Sequence, residues 1–362
     1  MVEILTAVAF GAILQLAVGR IGWLFGGMMA GLVVFIGHKR IYSQAANPSR
    51  FNRTIGQMLV GLAIGYSMSE SDLGQLAGEF PIYIFLTLFA IGSGIVIAFM
   101  YARRYNINLL TSLLATMPGG VSIMATVAAE YDKDVMLVST LQLARILSVV
   151  VVIPLWVNMT AFQENLSGLE PEIVMELGRV ILLVFVAIVC AAVGSFLAQL
   201  CRIPVAPMFG SMISGLVFGS VLTQLPAQWA AFTLPALVIV SGQILMGTSI
   251  GEAMSKQPVT DWRVLIGALQ VIALTLVAGV LSAALIKVFT SWSWLTCILA
   301  TAPGGASEMV IISLIFDQNN VGSVTSSHLV RLMAINGLLP LWILLFRYLD
   351  RRFPMGDPGI AQ

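Results

Sequence analysis

Arg145 lies about halfway along the apolar run at residues 135–157, and Arg331 holds the equivalent place in a second apolar run further on. A guanidinium inside hydrocarbon is costly and usually functional. Gln142 stands three residues before Arg145, and His328 three before Arg331, so each pair shares one helical face. These pairs are candidates to meet the negative charge of a solute. A second polar feature accompanies them. The stretches LATMPGGVSIM (114–124) and LATAPGGASEM (299–309) agree at eight of eleven positions. Proline removes a backbone donor and the glycines allow conformations closed to other residues. Pro118, Gly119 and Gly120, and again Pro303, Gly304 and Gly305, therefore predict a break in an apolar helix. At membrane depth the freed amides and carbonyls are tolerated only against protein or a wet cavity. Breaks at matched positions in two halves point to a transporter's binding site. The helix restarting after the glycines turns its positive end to that cavity, which suits an anion. Ser122 and Ser307, in the first turn, can cap amides or touch a ligand. A kink that serves packing alone is the plainer reading, and the duplication of the breaker with its flanks weighs against it.

Other buried polar positions are assigned less sharply. Glu308 has no acidic counterpart, since Ile123 holds the equivalent position. A lone carboxylate beside a helix break is a candidate to carry a coupling proton or help bind Na⁺; the alternative is a structural ion pair with one of the arginines. Gln57 and Gln243 form a matched pair inside glycine-rich segments, where interhelical hydrogen bonding would also explain them. Asp132 and Asp317 read as helix-start residues at the membrane surface.

The elements that position these groups follow from composition and repetition. The 362 residues are 59% hydrophobic and 10% charged, with a mean hydropathy of +0.97; a soluble domain carries roughly 25% charge. Apolar stretches long enough for a ~30 Å hydrocarbon core recur throughout, so the chain is expected to be an all-α, multi-pass membrane protein with the lipid bilayer as its main partner. The net charge of +1 gives no basic face for nucleic acid. Cys190, Cys201 and Cys297 show no metal or disulfide spacing. No signal peptide is apparent at the N-terminus, so the first apolar segment is expected to stay as a span.

Four blocks repeat in the same order at an offset of 184 to 186 residues. FGGMMAGLV returns as FGSMISGLV, and GQMLVGLAIG as GQILMGTSIG. The PGG stretch follows, and LARILSVVVVIPLW returns as LVRLMAINGLLPLW. The chain thus divides into a first membrane repeat (1–160), an acidic linker (161–173), a second repeat (174–350) and a short tail (351–362). With the PGG segments re-entrant the repeats are inverted; with six full crossings they are parallel. Inverted repeats place 13 loop lysines and arginines inside against 3 outside, and parallel repeats 11 against 5, which favours inversion. The expectation is about ten transmembrane helices plus two Pro-Gly-Gly-broken helices. In a variant of this topology the PGG segments cross fully while the short element at 21–37 does not.

The pattern PGG-x-S-x-M, then an acidic residue before valine, then Q-x-x-R, resembles the AbrB-duplication membrane proteins of bacteria. Here it reads PGGVSIM, Asp134-Val135 and Gln142-Leu-Ala-Arg145; the second copy reads PGGASEM, Asn320-Val321 and His328-Leu-Val-Arg331. The copies depart from one another at Ile123, Asn320 and His328. The resemblance covers nearly the whole chain and implies a multi-pass protein of the bacterial cytoplasmic (inner) membrane. Members of that family carry labels such as regulator and ammonia monooxygenase, and the name is shared with an unrelated small DNA-binding protein. A copper or iron oxygenase needs several converging His or carboxylate ligands, and this chain has two histidines, His38 and His328. A DNA reader needs a soluble basic module, for which the longest hydrophilic stretch, 37–53, is too short.

The expected function is secondary transport of a small polar, anionic solute, with no enzyme activity and no cofactor beyond H⁺ or Na⁺ coupling. The two breaks and Arg145 or Arg331 would bind the solute at the repeat interface, and Glu308 would couple. The runner-up is a membrane sensor that binds the same solute without moving it. A remote third is an intramembrane hydrolase using Ser307 and His328. GxxxG-like faces make room for a homodimer.

Overall fold

The computed structural model describes residues 2–42, 50–69, 73–161, 176–203, 205–230, 232–255, 262–353 and 355. The expected linker at 161–173 and tail at 351–362 lie almost wholly outside the described residues. From the first sequence copy come α1 (Val2–Val18), α2 (Gly22–Tyr42), α3 (Arg50–Met68), α4 (Leu73–Gly78), α5 (Phe80–Tyr105), α6 (Leu109–Thr116), α7 (Val121–Glu130) and α8 (Val135–Ala161). The second contributes α9 (Leu177–Leu200), α10 (Ala206–Leu222), α11 (Ala227–Ala230), α12 (Ala236–Ser255), α13 (Trp262–Phe289), α14 (Trp294–Thr301), α15 (Ala306–Phe316), α16 (Val321–Gly337) and α17 (Leu339–Arg352). Among the described residues there is no strand.

The protein is an all-α membrane protein. Six helices, α2, α5, α8, α9, α12 and α13, are long and apolar enough to cross a bilayer, and α16 with α17 makes a seventh candidate bent by 66°. This is fewer than the ten expected. The difference lies in α1 and α10, which are apolar but short, and in α3, whose first turns carry Arg50, Asn52 and Arg53. The sixth segment also behaves differently in the two copies. Pro154 is accommodated inside a continuous α8, whereas its counterpart Pro340 follows Gly337 and the helix bends. Gly and Pro within one turn are the usual cause of such a kink.

The chain divides into two compact units, each drawing equivalent helices from both copies. One comprises Met1–Asp72, Pro154–Gln257 and Val310–Val321; the other comprises Leu73–Ile153, Pro258–Met309 and Gly322–Gln362.

In the first unit α2 packs on α12 and α3 on α10, a reciprocal exchange between equivalent helices; α1 lies on α2 as α9 lies on α10. Glycine makes the exchange feasible. A Cβ at Gly247 would stand 2.2 Å from the Leu24 carbonyl oxygen, and one at Gly251 2.1 Å from that of Met28. Across the other pair, a Cβ at Gly61 would meet the Met208 oxygen at 2.2 Å, and one at Gly65 the Met212 oxygen at 1.9 Å. Backbone therefore lies on backbone, the contact that substitutes for hydrophobic drive within lipid. These stripes are filled by the chain's own helices. Gln57 and Gln243 are buried on α3 and α12 in this unit, and Gln243 Oε1 has no hydrogen-bond partner among the described residues.

In the second unit α5 and α13 pack together, α5 against α6 and α13 against α14. Asn108 caps α6 through the amides of Leu110 and Thr111, at 3.1 and 3.3 Å. Ser293 caps α14 through the Thr296 amide at 3.0 Å. Glu79, just ahead of α5, gathers neighbouring elements. Its carboxylate accepts from Tyr83 Oη at 2.6 Å, Ser323 Oγ at 2.8 Å, Trp292 Nε1 at 2.9 Å and Gln75 Nε2 at 3.2 Å. Burial tends to raise its proton affinity, but these four donors outweigh that and hold the carboxyl below its ordinary 4.5.

Two measurements follow. Gly65→Ala forces two backbones apart and should cost about 1–3 kcal/mol in detergent unfolding. Gly37→Ala, where a Cβ meets open space, should gain up to about 1 kcal/mol. Glu79 has a depressed folded value, so its contribution is complete above pH 4.5 and fades as pH falls through that lower value. An acid scan of unfolding temperature should lose part of its downward limb in Glu79→Gln.

Candidate functional site

Both predicted breaks form. α6 stops at Thr116, Met117 turns to extended backbone (φ −67°, ψ 138°) and Gly120 sits at φ +87° before α7 begins. That positive φ is where only glycine is unstrained. α14 stops at Thr301, Ala302 turns likewise (φ −51°, ψ 133°), and α15 begins at Ala306. Four carbonyls at the end of each half-helix would then lack helical partners in a dry interior.

The Q-x-x-R and H-x-x-R pairs take up these carbonyls. Gln142 Nε2 donates to Leu114 O and Met117 O, each at 2.8 Å. Arg145 Nη1 donates to Thr116 O at 2.7 Å, and its Nη2 donates to Gln142 Oε1 at 2.7 Å. In the second copy His328 Nε2 meets Leu299 O at 2.9 Å, Ser327 Oγ donates to Ala300 O at 3.0 Å, and Arg331 Nη2 donates to Ala302 O at 3.2 Å and also bonds His328 Nδ1. Because Leu299 O can only accept, Nε2 carries the ring hydrogen and Nδ1 receives the arginine's. His328 thus makes two of the three bonds that glutamine makes in the first copy, and Arg331 takes the third carbonyl, that of Ala302. The negative end of each half-helix dipole meets a guanidinium, the favourable sense.

The arginines also wall a cavity. About 530 Å³ of empty space, including its open mouth, lies among α5, α13, both breaks, α8 and α16. From the breaks it is lined by Thr116, Pro118, Thr301 and Pro303, from the long helices by Arg145, Ser327 and Arg331. The α5 and α13 walls present Thr87, Ser93, Thr275 and Ser282 together with apolar residues. No lining residue is acidic. Arg145 is 3% exposed and Arg331 7%, and Arg145 Nε has no hydrogen-bond partner among the described residues. The two guanidinium charges repel each other.

The remaining candidates are placed as follows. Gln142, His328, Ser307 and Glu308 are buried beside the breaks without lining the cavity. Gly119 and Gly304 pack on Met124 and Val149. The side chain of Ser122 lies outside the described residues. Ser307 Oγ bonds Glu308 Oε2 at 3.1 Å, and that carboxylate folds onto Gly305, where a Cβ would meet Oε2 at 1.9 Å. Glu308 therefore sits at the positive start of its own helix, the place an anion was expected to take, and makes no ion pair with either arginine among the described residues. Ser307 bonds Glu308, and the two ring nitrogens of His328 bond Leu299 O and Arg331. Gln57 and Gln243 belong to the first unit, apart from this cluster in the chain's division.

Residues 23–347 match the family described as transition state regulatory protein AbrB. The chain belongs to the AbrB family. Within it, the chain is 27% identical to "Uncharacterized protein YhjN" of Bacillus subtilis (strain 168), covering 94% of this chain and 91% of that one. It is 25% identical to "Putative regulator AbrB" of Escherichia coli (strain K12), over 71% of this chain and 72% of that one.

Sequence reasoning did not single out Thr116 and Thr301. Their hydroxyls lie 3.0 Å from Gly94 O of α5 and Gly279 O of α13, and equally within reach of the Ser112 and Cys297 carbonyls one turn back, so each can link its break to the neighbouring helix. The signal was present, since both threonines and both glycines recur at the same offset of 185 residues. This AbrB-family member should tolerate His328→Gln, which keeps one donor and one acceptor in place. His328→Ala leaves Leu299 O and Arg331 unmatched and should cost about 1–3 kcal/mol in unfolding of the purified protein; equal losses in both variants would contradict the assigned role.

Proposed function

We propose that this protein is a secondary transporter of a small anionic solute in the bacterial cytoplasmic membrane. One observation carries the reading: two buried arginines line a single cavity that contains no acidic side chain. Uncompensated charge in a low-dielectric cavity is strongly unfavourable, and a bound anion would relieve it. The helix-end carbonyls take up part of the guanidinium donors, and Arg145 Nε remains without a partner among the described residues. The duplicated sequence, its broken helices and the favoured inverted topology agree with alternating access.

The regulator name of the Escherichia coli relative favours a second reading, a sensor that binds the anion without moving it. Flux separates the two. Purified protein in liposomes should take up at least one of labelled lactate, succinate, inorganic phosphate or sulfate, and empty liposomes should not. The same anion should raise unfolding stability by about 2.7 kcal/mol at a hundred times its dissociation constant. Charge-assisted bonds of about 1.5–3 kcal/mol translate into a roughly ten- to hundredfold weaker uptake in Arg145→Gln and Arg331→Gln. Binding without uptake would select the sensor. Full uptake by both variants, each still monodisperse, would end the anion reading.

A further inference from the structure

We infer that His328 is the group that carries a proton with the anion, so that uptake is H⁺-coupled through His328 rather than Glu308; this rests on the transport reading above. The inference starts from hydrogen-bond bookkeeping at the ring. Nε2 faces the Leu299 carbonyl at 2.9 Å and so holds a hydrogen; Nδ1 faces Arg331 Nη2 and accepts from it. The ring is neutral and only 1% exposed. A proton can be added only at Nδ1, and only once Arg331 has turned to a different acceptor.

Arg331 lines the cavity, and an anion there is such an acceptor. Its arrival has two effects on the ring: it draws the guanidinium hydrogen off Nδ1, and its charge offsets the cation that opposes protonation. Each ligand therefore favours the other, as reciprocal linkage requires. In the loaded state an N–H of Arg331 bonds the anion in place of Nδ1, and Nδ1 holds a proton taken from cavity water. When the anion departs, Arg331 returns to Nδ1 and the proton returns to water on that side. One proton moves with each anion, and no other bond changes.

The surroundings leave His328 as the group for this task. Arg331 on α16 and Arg145 on α8 are the charges at the cavity wall; α5 and α13 present hydroxyl and apolar residues, and α14 presents the Leu299 carbonyl. Neither His328 nor Glu308 lines the cavity itself, but His328 bonds the lining Arg331, whereas Glu308 on α15 takes the Ser307 hydroxyl at its own helix start. In the first copy Gln142 makes the two equivalent bonds and a further one to Met117 O, and it cannot be protonated at neutral pH. Each chain therefore has one proton-accepting position of this kind.

The test uses full-length protein in liposomes containing a pH indicator, with lactate, succinate, inorganic phosphate and sulfate as probes. In the wild type, uptake of the transported anion should acidify the lumen. An inward gradient of one pH unit should drive accumulation towards the roughly tenfold limit for one proton per monovalent anion. His328→Gln should keep uptake down the anion's own gradient and lose both proton effects. Wild-type uptake indifferent to the proton gradient would overturn the inference, and so would a gradient response kept in His328→Gln or lost in Glu308→Gln instead. These outcomes leave anion transport standing. Absence of uptake for every probe in the wild type is the distinct failure of the transport reading itself. If His328→Gln fails to fold, Glu308→Gln decides between the two groups: a gradient response kept there supports His328, and one lost there overturns the inference.

Discussion

Backbone carbonyls that lose their helical partners in a dry interior must find donors nearby, and much of the second unit follows from that requirement. Breaking an apolar helix at Pro118 or Pro303 frees carbonyls at the C-terminal end of a half-helix, where the dipole is negative. A donor-rich cation on the neighbouring helix meets the need, with a residue one turn earlier that can both donate and accept. Gln142 with Arg145, and His328 with Arg331, are two chemical solutions of the same geometry. The price of burying a guanidinium is thereby lowered, because most of its local partners are strong, aligned acceptors. What the carbonyls do not neutralise is formal charge. A carbonyl offers a partial dipole, and two guanidinium groups on one acid-free cavity retain a net positive character that only an anion would cancel.

The first unit answers a different demand with different residues. Between helices in lipid, burial of apolar surface gives little advantage, so closeness of backbones has to supply the attraction. Gly61 and Gly65 bring α3 onto the backbone of α10, while Gly247 and Gly251 bring α12 onto α2. The helices that swap partners are equivalent in the duplicated sequence, so a single glycine-rich design written twice builds both contacts. The second unit shares this economy, since the threonine that can link a break to Gly94 or Gly279 also recurs.

Much of this was legible in the chain. Helix breakers, the matched Q/H-x-x-R spacing and the duplicated blocks are local or periodic signals, and both breaks and the burial of the arginines follow from them. Helix lengths were not, because α1 and α10 are apolar yet short, and apolar character does not by itself measure helix length. The role of Glu308 was also hidden. From sequence it stood as an ion-pair or coupling candidate, whereas its carboxylate turns back onto the start of α15, a choice set by side-chain direction within one turn. The glycine stripes were legible as close-contact faces but not as intrachain ones, since spacing defines a face and says nothing of what covers it. The cavity wall required the fold itself, because Thr87, Ser93, Thr275 and Ser282 are ordinary in helices and become informative only when they converge.

Where the copies diverge, the divergence falls beside the breaks. Ile123 and Glu308, Gln142 and His328 occupy equivalent positions and differ in whether they can hold a proton. Glu308 lies against its own helix start and takes the Ser307 hydroxyl there, with no ion pair to either cavity arginine among the described residues. His328 differs because its partner, Arg331, is also part of the cavity wall. Any ligand that engages that guanidinium alters what Nδ1 faces. A glutamine in the same place transmits nothing, since it has no second protonation state at neutral pH. The duplication thus provides two equivalent means of closing a broken helix, and the substitution of an imidazole for an amide makes one of them sensitive to the proton while preserving its hydrogen bonds. Function can be added to a structural cap in this way at little cost to the fold, because the added property lies dormant until the arginine is drawn elsewhere.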